Sequence, residues 1–221
     1  MYPLNNYLKM LIPAEEVIAL LKHYNITPTG ALHIGAHDCE ETPFYRAAGT
    51  NDTDVYWVDA IQEKVNQNKE RGVPNIVQAV VSDTDDQIVN FKISNNAQSS
   101  SFLDFGTHKD SYTWCHFVES RDLPTTTVDT LVKRHAFPIE KLNFWNFDIQ
   151  GAELFALKGA TDSRKYANAL YLEVNTEEVY KGCGLLHELD AFLKERGFER
   201  VRTIMTGARW GDALWVRTPT N

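Results

Sequence analysis

Short apolar runs alternate with helical stretches along this chain, and that order leaves few folds open. Pro13 begins an amphipathic helix with Val17, Leu20 and Leu21 on one face. Gly30 to Ile34 reads as a buried strand entering Gly35-Ala36. A helical stretch follows from about Glu40 to Ala48 and closes at Gly49. "DVYWVDA" predicts a second strand ending on Asp59, then a helix through Asn66 that stops near Gly72-Val73-Pro74. "NIVQAVVSD" predicts a third strand, ending in Ser82-Asp83. A β-α-β-α-β order calls for a parallel sheet.

Residues 87–103 alternate like a strand pair broken at Asn95-Asn96, an excursion from that sheet. "FWNFD" and "ALYLEVN" are the next two strands, the second read as ending on Glu173. A helix from about Leu185 to Arg196 leads to "FERVRTIM", and a turn at Gly207–Gly211 returns the chain through "ALWVRT". The last two strands predict an antiparallel pair on a mainly parallel sheet. Three strands thus end on acids: Asp59, Asp148 and Glu173. In one parallel sheet these acids share a rim, and ligands of open α/β sheets sit beyond the carboxyl ends of the strands. An unpaired carboxylate ending a buried strand is costly, so Asp148 is a candidate for chemistry.

With 221 residues, 43% of them hydrophobic, the chain can bury one full core as one domain. It carries 22 Lys and Arg against 30 Asp and Glu, a net charge of −8. That balance argues against a nucleic-acid partner and against an anionic membrane surface. Arg196, Arg200 and Arg202 read as solvated helix-end charge rather than a binding patch. Cys39, Cys115 and Cys183 form no CxxC pair, which argues against a zinc site or a disulfide framework and for reduced thiols in a cytoplasmic protein. No segment reaches the roughly 18 apolar residues of a membrane span. The start, Met1-Tyr2-Pro3-Leu4, lacks the basic region of a signal peptide.

The first strand-turn, "HIGAHDCEE", holds a single glycine, Gly35, where backbone can approach a ligand. About two dozen residues on, Asp59 stands where an acid meets ribose hydroxyls in nucleoside sites. Its structural alternative is an N-cap for the following helix. No GKS or GKT follows a glycine loop, which disfavours a nucleoside triphosphatase. The degenerate glycine run and the terminal antiparallel pair favour a methyltransferase over a dehydrogenase.

Over nearly its whole length the chain resembles the FkbM family of S-adenosylmethionine-dependent methyltransferases. The stretches that carry the resemblance are "HIGAHDCEE", "VYWVDA", "AVVSDTDD", "NNAQSSSFLDF", "TTTVDTL", "FDIQGAELFALKGA" and "LYLEVNTEEVY". Asp148, Gly151, Ala152, Glu153, Leu157, Lys158 and Gly159 fall on the family's most diagnostic block. Departures are Gln150 for the commoner Glu, His33 and His37 for Asp and Asn, and Asp59 for the commoner Glu. The resemblance implies a Rossmann-like class I fold with a seven-stranded sheet, as a single domain over 1–221 whose residues 1–28 form a helical extension. It also implies methyl transfer to a hydroxyl, with a sugar in a glycan as the expected acceptor. An acceptor of another kind, or a non-catalytic binding module that partners a glycosyltransferase, are the alternatives.

The expected cofactor side comprises Gly35, Ala36, His37, Asp59, Ala60, Ser82, Asp83, Asp148 and Gln150. Asp148 and Glu173 are the expected catalytic pair, since a hydroxyl needs a base in or after the transition state. Their structural alternatives are a helix cap for Asp148 and a buried arginine partner for Glu173. Two hard oxygen ligands also make magnesium a candidate there. Gln98, Ser100, Glu153, Asn175 and Trp210 are the expected substrate contacts, Ser99 and Ser101 sharing the same polar run and Glu153 equally placed to favour a helix start. His108 and His116 are reserve bases, and Tyr112, Trp114 and Tyr180 are aromatics able to stack on a sugar or to serve the core.

Overall fold

The fold is seen in a computed structural model that describes residues 10–218; the amino-terminal residues Met1 to Leu4 lie outside that range. Seven strands form the main sheet in the order β3-β2-β1-β7-β8-β10-β9. They are β1 (Ala31–Ile34), β2 (Val55–Asp59), β3 (Ile76–Gln78), β7 (Phe144–Phe147), β8 (Ala169–Asn175), β9 (Phe198–Met205) and β10 (Trp210–Arg217). The first five are mutually parallel, and β10 runs antiparallel to both β8 and β9. The expected class I methyltransferase architecture is therefore present, terminal pair included.

Alternation within the strands decides which helices cover which face. Ala31, Val55, Trp57, Phe144, Ala169 and Leu214 pack under α1 (Ala14–His23), α2 (Thr42–Ala47) and α3 (Gln62–Glu70). Leu32, Ile34, Val58, Trp145, Phe147 and Leu172 pack under α5 (Val128–Arg134), α6 (Glu153–Lys158) and α7 (Leu186–Lys194). Because β1, β7 and β8 are covered on both faces, they read as near-continuous apolar runs, interrupted by His33, Asn146, Glu173 and Asn175. Each such Leu, Val or Phe contributes about 1.5–3 kcal/mol by leaving water.

The structure corrects four expectations. "NIVQAVVSD" is two strands: after Ala79 donates to the Asp59 carbonyl the chain leaves the main sheet, and β4 (Val80–Val81) pairs with Thr125 and Thr126 instead. The excursion is real, but its strands are β5 (Ile88–Ser94) and β6 (Phe117–Thr126), and the pairing within 87–103 is reduced to an isolated antiparallel bridge between Lys92 and Ser101. β6 escaped notice because "FVESRDLPTT" is mostly exposed and carries Pro124, so no apolar face marks it. Residues 95–101 form a tight polar turn in which the Asn96 side chain accepts from the Ser99 amide, and the Ser94 amide donates to the Ser100 hydroxyl to close the base. Glu173 lies inside β8, and Trp210 opens β10 rather than sitting in a turn.

The helix-end reading holds for Arg196 after α7, whereas Arg200 and Arg202 lie within β9. Arg196 is paired with Glu195 and stacked on Phe192, Arg200 with Asp190, and Arg202 with Glu16. All three cysteines are free and buried. Among the described residues no helix is long and apolar enough to cross a membrane.

Candidate active site

Strand register brings the polar side chains together. His33 lies beside Asn146, and Asn146 beside Tyr171, in one row across β1, β7 and β8. Two residues further along the same face come Gly35, Asp148 and Glu173, with Asp212 of β10 opposite Glu173. Beyond this row opens a cavity of about 430 Å³ lined by all of them. Gly35 has φ +99°, and a Cβ there would lie 1.8 Å from the carbonyl oxygen of Asp148. The glycine is thus demanded by the turn's passage over the end of β7, in addition to any approach of a ligand.

The acids form one connected centre. Asp148 follows β7, is exposed to the cavity, and accepts from Gln150 Nε2 at 2.6 Å. The same Nε2 donates to Glu173 Oε2, while Gln150 Oε1 accepts from the Tyr180 hydroxyl. Glu173 is buried, and burial together with the neighbouring Asp148 carboxylate holds its proton affinity well above the usual carboxylate range. It pairs with no arginine. Glu153 lies beneath, 1% exposed, accepting from the amides of Ile149 and Gly151; burial nevertheless pushes its carboxyl up to about 8. Asp148 makes no cap to α6, whose preceding loop is tied instead by Glu153.

On the side of β1 and β2, Asp59 is 8% exposed and accepts from the His37 and Ile61 amides, each at 2.7 Å. A carboxylate has about four lone-pair sites, so two remain for ligand hydroxyls. Burial is the largest influence on Asp59 and raises its proton affinity against those two donors. His37 and Ala60 line the cavity, whereas Ala36 is not part of its wall. Ser82 and Asp83 stand away from it, and Ala79, Val80 and Val81 supply the wall because the chain has crossed to the second sheet there.

The opposite side is aromatic. Trp210 Nε1 donates to the Tyr112 hydroxyl at 2.8 Å, and Tyr112 meets Trp114 edge-on at 6.4 Å. These three rings line the cavity with Gln98, Ser100 and His108. His108 opens the short helix α4 (His108–Ser111) and is buried, stacked on Phe105 at 4.3 Å, its Nδ1 without a hydrogen-bond partner. Burial lowers its proton affinity, so it is a neutral imidazole near pH 7. His116 is exposed and bonds the Trp114 carbonyl outside the cavity. Glu153 and Asn175 are buried off the wall, and the Asn175 amide has no partner. Sequence reasoning missed Asn146, Tyr171 and Asp212, although a polar residue two positions from an acid inside an apolar strand was a usable signal.

Magnesium does not fit the Asp148–Glu173 pair, because an amide N–H donor is directed at both carboxyls. Among the described residues, the cluster of metal-capable groups is His37, Asp38 and Glu40, where the Lys64 ammonium sits 2.9 Å from Asp38.

The profile described as "Methyltransferase FkbM domain" matches residues 33–200. The chain belongs to the FkbM methyltransferase family. Its donor is S-adenosylmethionine. Similar solved structures include a SAM-dependent methyltransferase from Aquifex aeolicus, at 14% identity and TM-score 0.42, covering 90% of this chain and 88% of that one. Another is a SAM-dependent methyltransferase from Bacteroides fragilis in complex with S-adenosyl-L-homocysteine, at 11% identity and TM-score 0.44, covering 96% and 79%. No curated protein matches the chain.

In this FkbM chain the diagnostic block works as a scaffold for Asp148. Gly151 has φ +93° and no room for a Cβ, which would meet Cys183 at 2.8 Å, and Glu153 ties the loop from below. The buried acids give stability an unusual pH dependence. Glu153 (about 8), Asp212 (about 7, through burial) and Glu173 all have folded-state values above those of the unfolded chain. The folded state then binds more protons, so this stabilisation is complete below about pH 4.5 and is lost as pH rises toward 8. The ligand-free protein should melt about 5 °C or more higher at pH 5.5 than at pH 8.5. Calorimetric melting of wild type and Glu153→Gln checks this, the variant showing a shallower slope.

Proposed function

We propose that this FkbM methyltransferase transfers the methyl group to a hydroxyl oxygen of a sugar within a glycan. The observation that carries the reading is Asp148: an exposed carboxylate in the cavity, between the Asp59 side and the aromatic side, backed by the buried, proton-retaining Glu173. The Tyr112, Trp114 and Trp210 rings support a sugar, whose C–H faces stack on aromatics while Gln98 and Ser100 offer polar partners.

The cavity suits the donor. Asp59 has lone pairs for two ribose hydroxyls, and Ile61, Val80 and Val81 give an apolar wall for a base. S-adenosylmethionine supplies an electrophilic methyl on a sulfonium. Asp148 takes the proton that the acceptor hydroxyl releases. Glu173 and Gln150 hold Asp148 toward the cavity, and the rings line its acceptor side. The same reading takes the chain as one domain, supported by α1, whose Val17 and Leu21 pack into the core. Three buried free thiols support a reducing, cytoplasmic setting, and a glycosyltransferase that builds the glycan is the expected associate.

S-adenosylhomocysteine release across a panel of glycan, small-hydroxyl and amine acceptors tests the reaction. Methyl ether formation on a sugar is the expected result; turnover on amines alone would overturn it. The donor should bind with micromolar-order affinity, about −8 kcal/mol. Asp59→Ala should weaken it at least about tenfold, because charge-assisted hydrogen bonds are worth about 1.5–3 kcal/mol each. Calorimetry showing unchanged affinity would leave Asp59 as the fastener of the His37 and Ile61 amides alone.

A further inference from the structure

Gln150 occupies a position with three unusual features. It is a non-glycine residue at φ +56°, a backbone state that costs about 1–3 kcal/mol unless its surroundings enforce it. Its main-chain carbonyl is held by the Ser101 hydroxyl at 3.0 Å. Its side-chain amide is fully engaged: Nε2 to Asp148 and to Glu173, Oε1 to the Tyr180 hydroxyl. That arrangement fixes which way the amide faces. Reversing it would set an acceptor oxygen against the Asp148 carboxylate and turn the NH₂ group toward Tyr180, losing the charge-assisted bond to Asp148 and the bond to Glu173.

We propose that Gln150 is a positioning residue whose amide clamps the Asp148 and Glu173 carboxyls into one unit that carries a single shared charge. Two carboxyls in contact share one negative charge more readily than they carry two. An N–H aimed at each lowers the cost of that charge without supplying a proton of its own. A glutamate at this position would add a third acid and remove both donors. Tyr180, buried and bonded to Oε1, keeps the amide from rotating away. This role differs from contact with the donor molecule, since both N–H donors of the side chain are already engaged by protein.

The inference rests on Asp148 being the base, and its test does not require an acceptor. Protein labelled with ¹³C at Asp and Glu side-chain carboxyls is titrated by NMR, with Asp148→Asn and Glu173→Gln identifying the two signals. In Gln150→Leu the lower midpoint of the pair should rise by at least about one unit, since hydrogen bonds to the charged form are lost. Gln150→Glu should raise it further. Tyr180→Phe, which leaves both N–H donors in place, should shift it less and in the same direction. S-adenosylhomocysteine affinity, measured by calorimetry, should change by less than about threefold in each, as the amide serves the acids and not the donor. Unchanged midpoints in folded Gln150→Leu or Gln150→Glu protein would overturn the proposal. So would a tenfold or greater loss of affinity (about 1.4 kcal/mol) without a shift, which would assign the amide to the donor. Full activity of Asp148→Asn would instead sink the base assignment while leaving the titration to judge the clamp.

Discussion

Asp148→Asn should lower turnover by about 100-fold or more on a true acceptor, with the donor saturating, because proton removal is lost. The substitution nearly preserves shape. Its remaining Oδ1 can still accept from Gln150 Nε2, so the loop between β7 and α6 keeps its tie, and Glu153 still holds the Ile149 and Gly151 amides. Donor affinity and melting temperature should therefore move little while kcat falls. Glu173→Gln should act in the same direction. The double variant should be less than additive, since the two carboxyls are coupled through one amide and one shared charge. A near-normal rate for Asp148→Asn would place the base elsewhere. His108 is then next: it lines the same cavity, is neutral, and has an unpartnered ring nitrogen.

Gly35→Ala should destabilise the protein by about 3 kcal/mol or more, the range of overpacking combined with backbone strain. The added Cβ would overlap a backbone carbonyl, that of Asp148, at 1.8 Å, and no side-chain rotation relieves a clash with main chain. The φ of +99° adds a second penalty that any L side chain meets. To relieve both, the turn after β1 must lift from the end of β7, and that displaces the amide His37 offers to Asp59 as well as Asp148 itself. Thermal melting should show a fall of about 6–12 °C, with S-adenosylhomocysteine binding impaired in the protein that remains folded. A melting temperature within about 2 °C of wild type would mean that the turn relaxes freely and that Gly35 is not a fixed point of the site.

The two expected results turn on one junction, where β1 and β7 end side by side, and much of that junction was legible in the chain. An acid after an apolar strand, a glycine after another and a second acid in "ALYLEV" point to one rim once the sheet is parallel. Position alone could not show that Gln150 would join them. Its side chain acts only because φ +56° turns it back between two strands, and no pattern in "DIQGAE" encodes that turn. Glu153 stands among the expected substrate contacts, with a helix-start role as the alternative; it lies beneath the site because the loop ahead of α6 folds over it. Ser82 and Asp83 were placed beside the donor on the premise that "NIVQAVVSD" is one strand. A switch between two sheets at Ala79 moves them off the wall.

Sequence by itself determined the class of fold and the rim on which the acids gather, since each follows from local periodicity and order along the chain, while the family follows from motifs such as "DIQGAELFALKGA". Hydrophobic alternation repeats every two or 3.6 residues and needs no distant partner to be read. Tertiary structure alone decided which polar groups touch. Asp212 reaches the site from 64 residues beyond Asp148 through antiparallel pairing with Glu173, and Tyr180 reaches Gln150 through a loop. The same contacts set proton affinity: the Glu173 and Glu153 carboxyls are raised above the usual range because burial withdraws water from them. Burial is a property of the packed molecule, set by what surrounds a residue in space, and a linear pattern records it only where both faces of a strand are apolar.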